Sequence, residues 1–281
     1  MATISEADRA ATARHAATAR DAATGADGAM IRFDGVVQKF GTKTPFGDNR
    51  KTVLDGVDLV VPRGHMLCLL GPSGAGKTTM VNLIMGNEIA TAGTVTVMGE
   101  VAPYPKARRW IGYMPQDEAL YDDISAAENL RFFGAMNGLK GRELEERIDA
   151  MLEFGRLTEH RKKLVADYSG GMKRRLSLGV AMIHDPDLLV LDEPTVGLDP
   201  DLRLQIWAEF KKLTKAGKTL LVTTHVMDEA ERCDEIAMLH RGKIIALAPP
   251  RTILADTGAA NLDEAFLVLD GTAGTDPAAT S

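Results

Sequence analysis

The stretch GPSGAGKTT, residues 71–79, follows directly on the apolar run Met66-Leu67-Cys68-Leu69-Leu70. A buried strand has no use for three glycines, a lysine and two threonines at its end. A glycine-rich turn that leaves a strand and feeds a helix presents a row of backbone N–H groups on one concave surface. The helix N-terminus adds its positive dipole end. The stretch therefore predicts a strand, an anion cradle of phosphate size, and a helix running from Lys77 to about Asn87.

Outward from this turn the pattern alternates between strand and helix. "IRFDGVV", "VDLVV" and "TVTVM" cluster or alternate β-branched residues between turn signals and predict a small β-rich layer. "WIGYM", residues 110–114, predicts a further strand. A polar helical block is expected from about Ser125 to Lys163, with Leu144, Ile148, Leu152 and Leu157 near helical spacing as core positions. "DLLVLDEP" and "KTLLVTTH" are short apolar runs ending in polar residues. That is the pattern of parallel strands buried on both faces with a site at their carboxyl ends. The fold class is α/β with a parallel-sheet core.

Composition bounds the rest. With 281 residues, 45% hydrophobic and 26% charged, the chain has material for a large core in one or two domains. A net charge of -6 excludes a protein whose affinity rests on neutralising many nucleic-acid phosphates, so no nucleic-acid partner is expected. Arg161-Lys162-Lys163 reads as a solvated helix face. Cys68 and Cys233 are the only cysteines and allow neither a disulfide framework nor a CxxC metal site, which points to a reducing compartment. No apolar stretch approaches the roughly 18 residues needed to cross a bilayer, so the chain forms no membrane pathway alone. Residues 1–29 are Ala-rich and lack the apolar centre of a secretory signal; they are expected to be a disordered or weakly helical tail, with Met30 as an alternative start. Residues 272–281 are expected to be a polar tail.

Gly71-x4-Gly76-Lys77-Thr78 matches the phosphate-binding loop pattern. In it the backbone of Gly71, Pro72, Ser73, Gly74, Ala75 and Gly76 holds phosphates and Lys77 reaches the β and γ groups. The Thr78 hydroxyl binds Mg²⁺, and Thr79 follows in the helix. Such a loop needs a metal-holding carboxylate. Asp192 ends the apolar run "LLVLD" and Glu193 follows at once. Successive strand residues point to opposite sides, so Asp192 is expected to hold Mg²⁺ through water and Glu193 to polarise the attacking water. "YSGGMKRRLSLG" places Ser169, Gly170 and Gly171 immediately before a predicted helix, a second anion-binding geometry. One nucleotide has no easy use for two such corners of one chain. A head-to-tail dimer resolves this, each serine-glycine corner closing over the partner's nucleotide.

These residues resemble the ATP-binding subunits of ABC transporters from about Ile31 to Gly271. The resemblance implies a P-loop NTPase with an antiparallel β subdomain at the N-terminus and an inserted helical subdomain at about 117–175, within one ATPase domain at 30–271. Ser169-Gly170-Gly171 is similar to the family's signature motif, with Tyr168 and Met172 where Leu and Gln are more usual. Gln116 resembles the glutamine linking metal and nucleophilic water to the membrane partner, and Asp199 in "GLDP" resembles the acid of the loop after the catalytic glutamate. His225 resembles the switch histidine at the γ-phosphate. Phe40 matches the adenine-stacking aromatic, with Phe46 as rival because "TKTPFGDNRK" lengthens the following loop. Gln116 or His225 alone reads as an ordinary surface amide or strand-end histidine; their joint arrangement gives them a role.

"YSGGMKRRLSLGVAMIHDPDLLVLDEPTVGLDP" and "ANLDEAFLVLDG" are most similar to ATPase subunits of ABC-2-type exporters. The resemblance implies ATP and Mg²⁺ as cofactors and a second ATPase subunit and integral membrane subunits as partners. It also implies a place on the cytoplasmic face of the membrane, with docking near Gln116 to Tyr121 and the following helix. The alternative is an ABC ATPase acting on ribosomes or DNA, but neither fused ATPase modules nor a long inserted coiled coil is present.

Overall fold

The structure is a computed structural model that describes residues 28–44, 47–103, 110–117 and 119–271. Phe46, residues 1–27 of the expected N-terminal tail, and the 272–281 tail lie outside the described residues. The first elements are β1 (Ala29–Phe40), β2 (Lys43–Thr44), β3 (Gly47–Asp48), β4 (Lys51–Pro62), β5 (Met66–Leu70), α1 (Lys77–Ile84), β6 (Ala92–Val97) and β7 (Glu100–Val101). There follow β8 (Ile111–Met114), α2 (Ala126–Met136), α3 (Gly141–Phe154), α4 (Gly170–Met182), β9 (Leu188–Asp192), α5 (Pro200–Lys215) and β10 (Thr219–Thr224). The last are α6 (Met227–Ala230), β11 (Glu235–His240), β12 (Lys243–Ala248), α7 (Pro250–Thr257) and α8 (Leu262–Asp270). Among the described residues no helix is long and apolar enough to cross a membrane.

The chain forms two compact units, one of residues up to 104 together with those from 224, the other of residues 105–223. In the first unit β1 lies between β4 and β6 in an antiparallel sheet of order β4-β1-β6-β7. Its alternation works as expected: Ile31 and Phe33 of β1, Leu59 and Val61 of β4, and Val95 and Val97 of β6 are buried, with half-buried Arg32, Val60 and Thr96 between them. The same unit pairs β11 with β5 in parallel and with β12 antiparallel. All five residues of β5 are buried, as a parallel strand covered on both faces requires. The lengthened loop after Phe40 folds into the β2–β3 ribbon.

The second unit pairs β9 in parallel with both β8 and β10 and carries α2, α3, α4 and α5. Ser125 and Glu128 form a capping box at the start of α2: Glu128 Oε2 accepts from the Ser125 N–H at 2.8 Å, and the Ser125 hydroxyl accepts from the Glu128 N–H at 3.3 Å. The Ser125 hydroxyl, donating to Glu128 Oε2, and after it the Ser125 N–H hold the Glu128 carboxyl below its usual range. Leu144, Ile148 and Leu152 form the buried stripe of α3 as predicted. Leu157 is buried too, but outside the helix. Arg156 turns left-handed (φ +52), and the Leu157 N–H folds back onto the Leu152 carbonyl at 2.7 Å. The same device stops α1 at Ile84, short of Asn87: Gly86 is left-handed, and the Asn87 N–H bonds the Asn82 carbonyl at 2.9 Å.

Candidate functional site

In the first unit, steric limits shape the 71–79 turn. A Cβ on Gly71 would lie 2.2 Å from the Leu239 carbonyl oxygen, and one on Gly76 would lie 2.7 Å from Leu54 Cδ2. Gly74 and Gly76 also have φ of +78° and +113°, where only glycine is unstrained. The turn is braced from outside, since the Gly242 N–H donates to the Ala75 carbonyl at 3.1 Å and the Gly242 carbonyl accepts from Asp55 at 2.9 Å. The first turn of α1 has neither a side-chain cap nor an acidic residue, so its N-terminal partial charge faces no built-in anion. The Lys77 ammonium is buried in the concavity and donates to the carbonyls of Gly71 at 2.6 Å and Pro72 at 3.1 Å. Pro72, Ser73, Gly74 and Thr78 are exposed on the rim, while Ala75 is buried and Thr79 half-buried. A turn with no room for a Cβ at Gly71 or Gly76, and with a cation inside, fits a polyphosphate.

Phe40 closes β1 with its side chain 41% exposed, enough to offer a ring face. His225 is exposed just past β10. Its neighbour Thr224 is buried; the Thr224 hydroxyl donates to Glu229 Oε2 at 2.8 Å and accepts from the Val226 N–H at 3.1 Å. That pair fixes the backbone on both sides of the histidine.

In the second unit, Asp192 is the last residue of β9 and is buried, with its Oδ1 accepting from the Thr223 hydroxyl. Burial and the Asp192 carboxylate push the Tyr113 phenol above its ordinary value. Simple strand alternation does not separate Asp192 from Glu193, contrary to the expectation. Glu193 has already left the strand and sits left-handed at φ +51, a conformation that costs a non-glycine residue about 1–2 kcal/mol. Its N–H donates to both the carbonyl and the hydroxyl of Thr223, each at 3.1 Å. The carboxylate-bearing side chain is half-buried.

Ser169 is the N-cap of α4, its hydroxyl accepting from Met172 at 3.3 Å. Gly170 and Gly171 do not precede the helix as expected but form its first turn, because Ser169 already supplies the extended cap residue. Ser169 and Gly170 are exposed, and a Cβ on Gly170 would meet nothing within 4 Å. Tyr168, where the family has Leu, is buried with its hydroxyl donating to the His160 carbonyl at 2.9 Å, so its extra oxygen is satisfied. Asp199 caps α5 through Leu202 at 3.0 Å, and Gln116 is exposed beyond the end of β8.

Arg174 was not singled out from the sequence, where it is the middle of three basic residues in a helix. In the structure it is buried, and its guanidinium donates to the carbonyls of Gln116 at 2.6 Å, Asp192 at 2.6 Å, and Glu193.

Glycine cradle, buried lysine, strand-end carboxylate pair and parallel strands define a P-loop nucleoside-triphosphatase. Its particular kind follows from comparison with known proteins. The ABC transporter family model matches residues 54–196. The Nod factor export ATP-binding protein I of Cupriavidus metallidurans is 43% identical over 222 residues, covering 78% of this chain and 73% of the relative. That of Paraburkholderia xenovorans is 40% identical over 243 residues, covering 85% and 77%. Among solved structures, an ATP-binding subunit of an ABC transporter superposes with a TM-score of 0.77 at 29% identity, covering 86% of this chain and 99% of that one. A dimeric ATP-binding cassette in a post-hydrolysis state with ADP and Pi does so with a TM-score of 0.72 at 26% identity, covering 78% and 98%. The chain belongs to the ABC transporter family and is an ATP-binding, ATP-hydrolysing subunit.

Among the described residues no group of three or more His, Cys, Asp or Glu is placed to hold a metal ion.

Proposed function

We propose that this chain powers an exporter, closing head-to-tail with a second ATPase subunit around two ATP molecules and moving attached membrane subunits at the cytoplasmic face of the membrane. The reading rests on residues 71–79, whose glycines and buried Lys77 make a ready anion cradle. Lys77 draws off charge at the β and γ phosphates, and Phe40 stacks on adenine. Mg²⁺, held by Thr78, Gln116 and Asp192, would screen the phosphate charges. Glu193 orients and polarises the attacking water, while His225 contacts the γ-phosphate. Ser169, Gly170, Gly171 and Asp199 face the partner protomer's nucleotide, so that hydrolysis waits for closure.

Export is supported by the exporter subunits among the relatives. A docking face for the membrane subunit is supported by an aromatic cluster on the second unit. Tyr121 packs edge-on against Phe132 at 5.0 Å, and Phe132 against Phe133 at 5.3 Å, yet Tyr121 and Phe132 are 46% and 41% exposed. Met136, one turn on from Phe132, is 70% exposed. Asn129 holds the cluster's loop: its side chain accepts from the Tyr121 N–H at 2.9 Å and donates to the Tyr121 carbonyl at 3.0 Å. Exposed aromatic residues braced in this way suit a protein contact.

The test is Glu193→Gln, purified from detergent-solubilised membranes with whatever copurifies. ATP binding should match the wild type, turnover should fall by about two orders of magnitude or more, and an ATP-loaded dimer should accumulate beside an integral membrane subunit. Turnover at the wild-type rate would remove Glu193 from its role, and copurification of ribosomal or DNA-repair proteins instead would remove the exporter.

A further inference from the structure

We propose that Arg174 is a positioning residue for hydrolysis, a bolt joining the signature helix to the backbone that carries Glu193 and Gln116; this rests on the roles given to those two residues above. Four hydrogen bonds make the case. One guanidinium nitrogen donates to the Gln116 carbonyl at 2.6 Å and, more weakly, to that of Pro115 at 3.4 Å. The other donates to Asp192 at 2.6 Å and to Glu193. A single buried cation thus ties the segment after β8 to the end of β9 from a position in the second turn of α4.

The close approach this needs is built into the packing. A Cβ at Gly112 would lie 2.1 Å from the Ala181 carbonyl oxygen, so the glycine in β8 lets the α4 backbone press onto the strand. Other charges hold the helix in place. Arg147 donates to the Met182 and Ile183 carbonyls at 2.7 and 2.8 Å at its C-terminal end, and Lys173 pairs with Asp122 at 2.7 Å near its start. Arg174 then contributes what these do not. Its bond to the Glu193 carbonyl and the Thr223 bonds to the Glu193 N–H hold the two peptide groups that flank this left-handed residue.

Bonding four carbonyls at once gives the buried guanidinium a mechanical meaning. The fork is planar and rigid, so the directions of the Gln116 and Glu193 backbones are set relative to α4 and hence to Ser169 at its cap. Lysine keeps the charge, but its single nitrogen has no fork with which to fix two strand ends at once.

The experiment compares wild type, Arg174→Lys, Arg174→Gln and Glu193→Gln in the purified complex, measuring MgATP turnover, KM and melting temperature. For Arg174→Lys we expect kcat to fall by about tenfold to a hundredfold, the scale of a misplacement of about 1 Å, with KM within about twofold because the phosphate loop is untouched. Arg174→Gln should lose at least as much. A folded Arg174→Lys with wild-type kcat overturns the proposal, as does one whose KM rises at constant kcat. An Arg174→Lys chain that does not fold assigns the residue to the folding core and overturns it too. Glu193→Gln separates the levels: if it keeps full turnover the parent reading fails, and if it is inactive while Arg174→Lys is active only this inference fails.

Discussion

The two ends of the chemistry are built on opposite principles. Residues 71–79 work through the backbone, and their shape follows from what is missing, since Gly71 and Gly76 leave no room for a Cβ. The Asp192–Glu193 end works through side chains, and its shape follows from what is added, namely Thr223 against the Asp192 carboxylate and the Glu193 N–H, and Arg174 across the strand ends. A backbone site is rigid and intolerant of substitution. A side-chain scaffold is adjustable and lends itself to coupling with motion elsewhere.

The largest effect expected from breaking this contrast is at Gly71→Ala. The new methyl meets a backbone oxygen rather than a side chain that can swing away, so the turn itself must move. ATP affinity, read by titration with a fluorescent ATP analogue, should fall by about a hundredfold or more, equivalent to about 2.7 kcal/mol. Affinity within a few-fold of wild type would mean the cradle is less rigid than the sterics require.

Gly170→Ala sharpens the comparison from the other side. It has open space around it and a helical backbone, so the melting temperature should hold or rise, alanine being favoured over glycine by up to about 1 kcal/mol in a helix. Turnover of the assembled complex should nonetheless fall, by about tenfold, if that face receives the partner's nucleotide closely. Unchanged turnover would show that the corner has room to spare.

Ser125→Ala tests whether the helical part of the second unit depends on local capping. Losing the hydroxyl half of the capping box, while the backbone N–H of residue 125 still donates to Glu128, should cost about 1 kcal/mol in chemical denaturation, with nucleotide affinity untouched because the cradle lies in the other unit.

The smallest effect is a pH dependence from His184. Burial pushes its imidazole below the ordinary value and outweighs the opposing hydrogen bond to the Ile111 backbone, while the Arg147 and Lys218 charges act with burial and Asp185 against it. The unfolded chain therefore takes up the proton first, so this residue's contribution to stability is present near pH 7 and is lost as pH falls below about 6.5. Denaturation midpoints at pH 7 and pH 5.5 should differ less in His184→Gln than in wild type. An equal or larger difference in the variant would contradict the buried neutral state.

Much of the site was legible because its chemistry is written in short local patterns. The cradle's glycines are contiguous with its lysine, and Asp192 ends an apolar run that burial on both faces demands. Other features were not readable locally. The helix reading carried through Leu157, but a left-handed Arg156 ended α3 earlier while leaving Leu157 in the core. Positive φ at a non-glycine residue has no sequence signal, and Glu193 shows the same limit at the site itself.

By itself the sequence determined the alternation of buried strands and helices and the anion cradle, each of which depends on residues within one turn or strand of one another, and the family, which rests on the order of several such short motifs. Only tertiary structure decided that Arg174, one of three adjacent basic residues, turns inward to hold carbonyls 58 and 18 positions away. A buried cation must find its acceptors among groups that the chain brings close only after it has folded, and no local pattern specifies which those are.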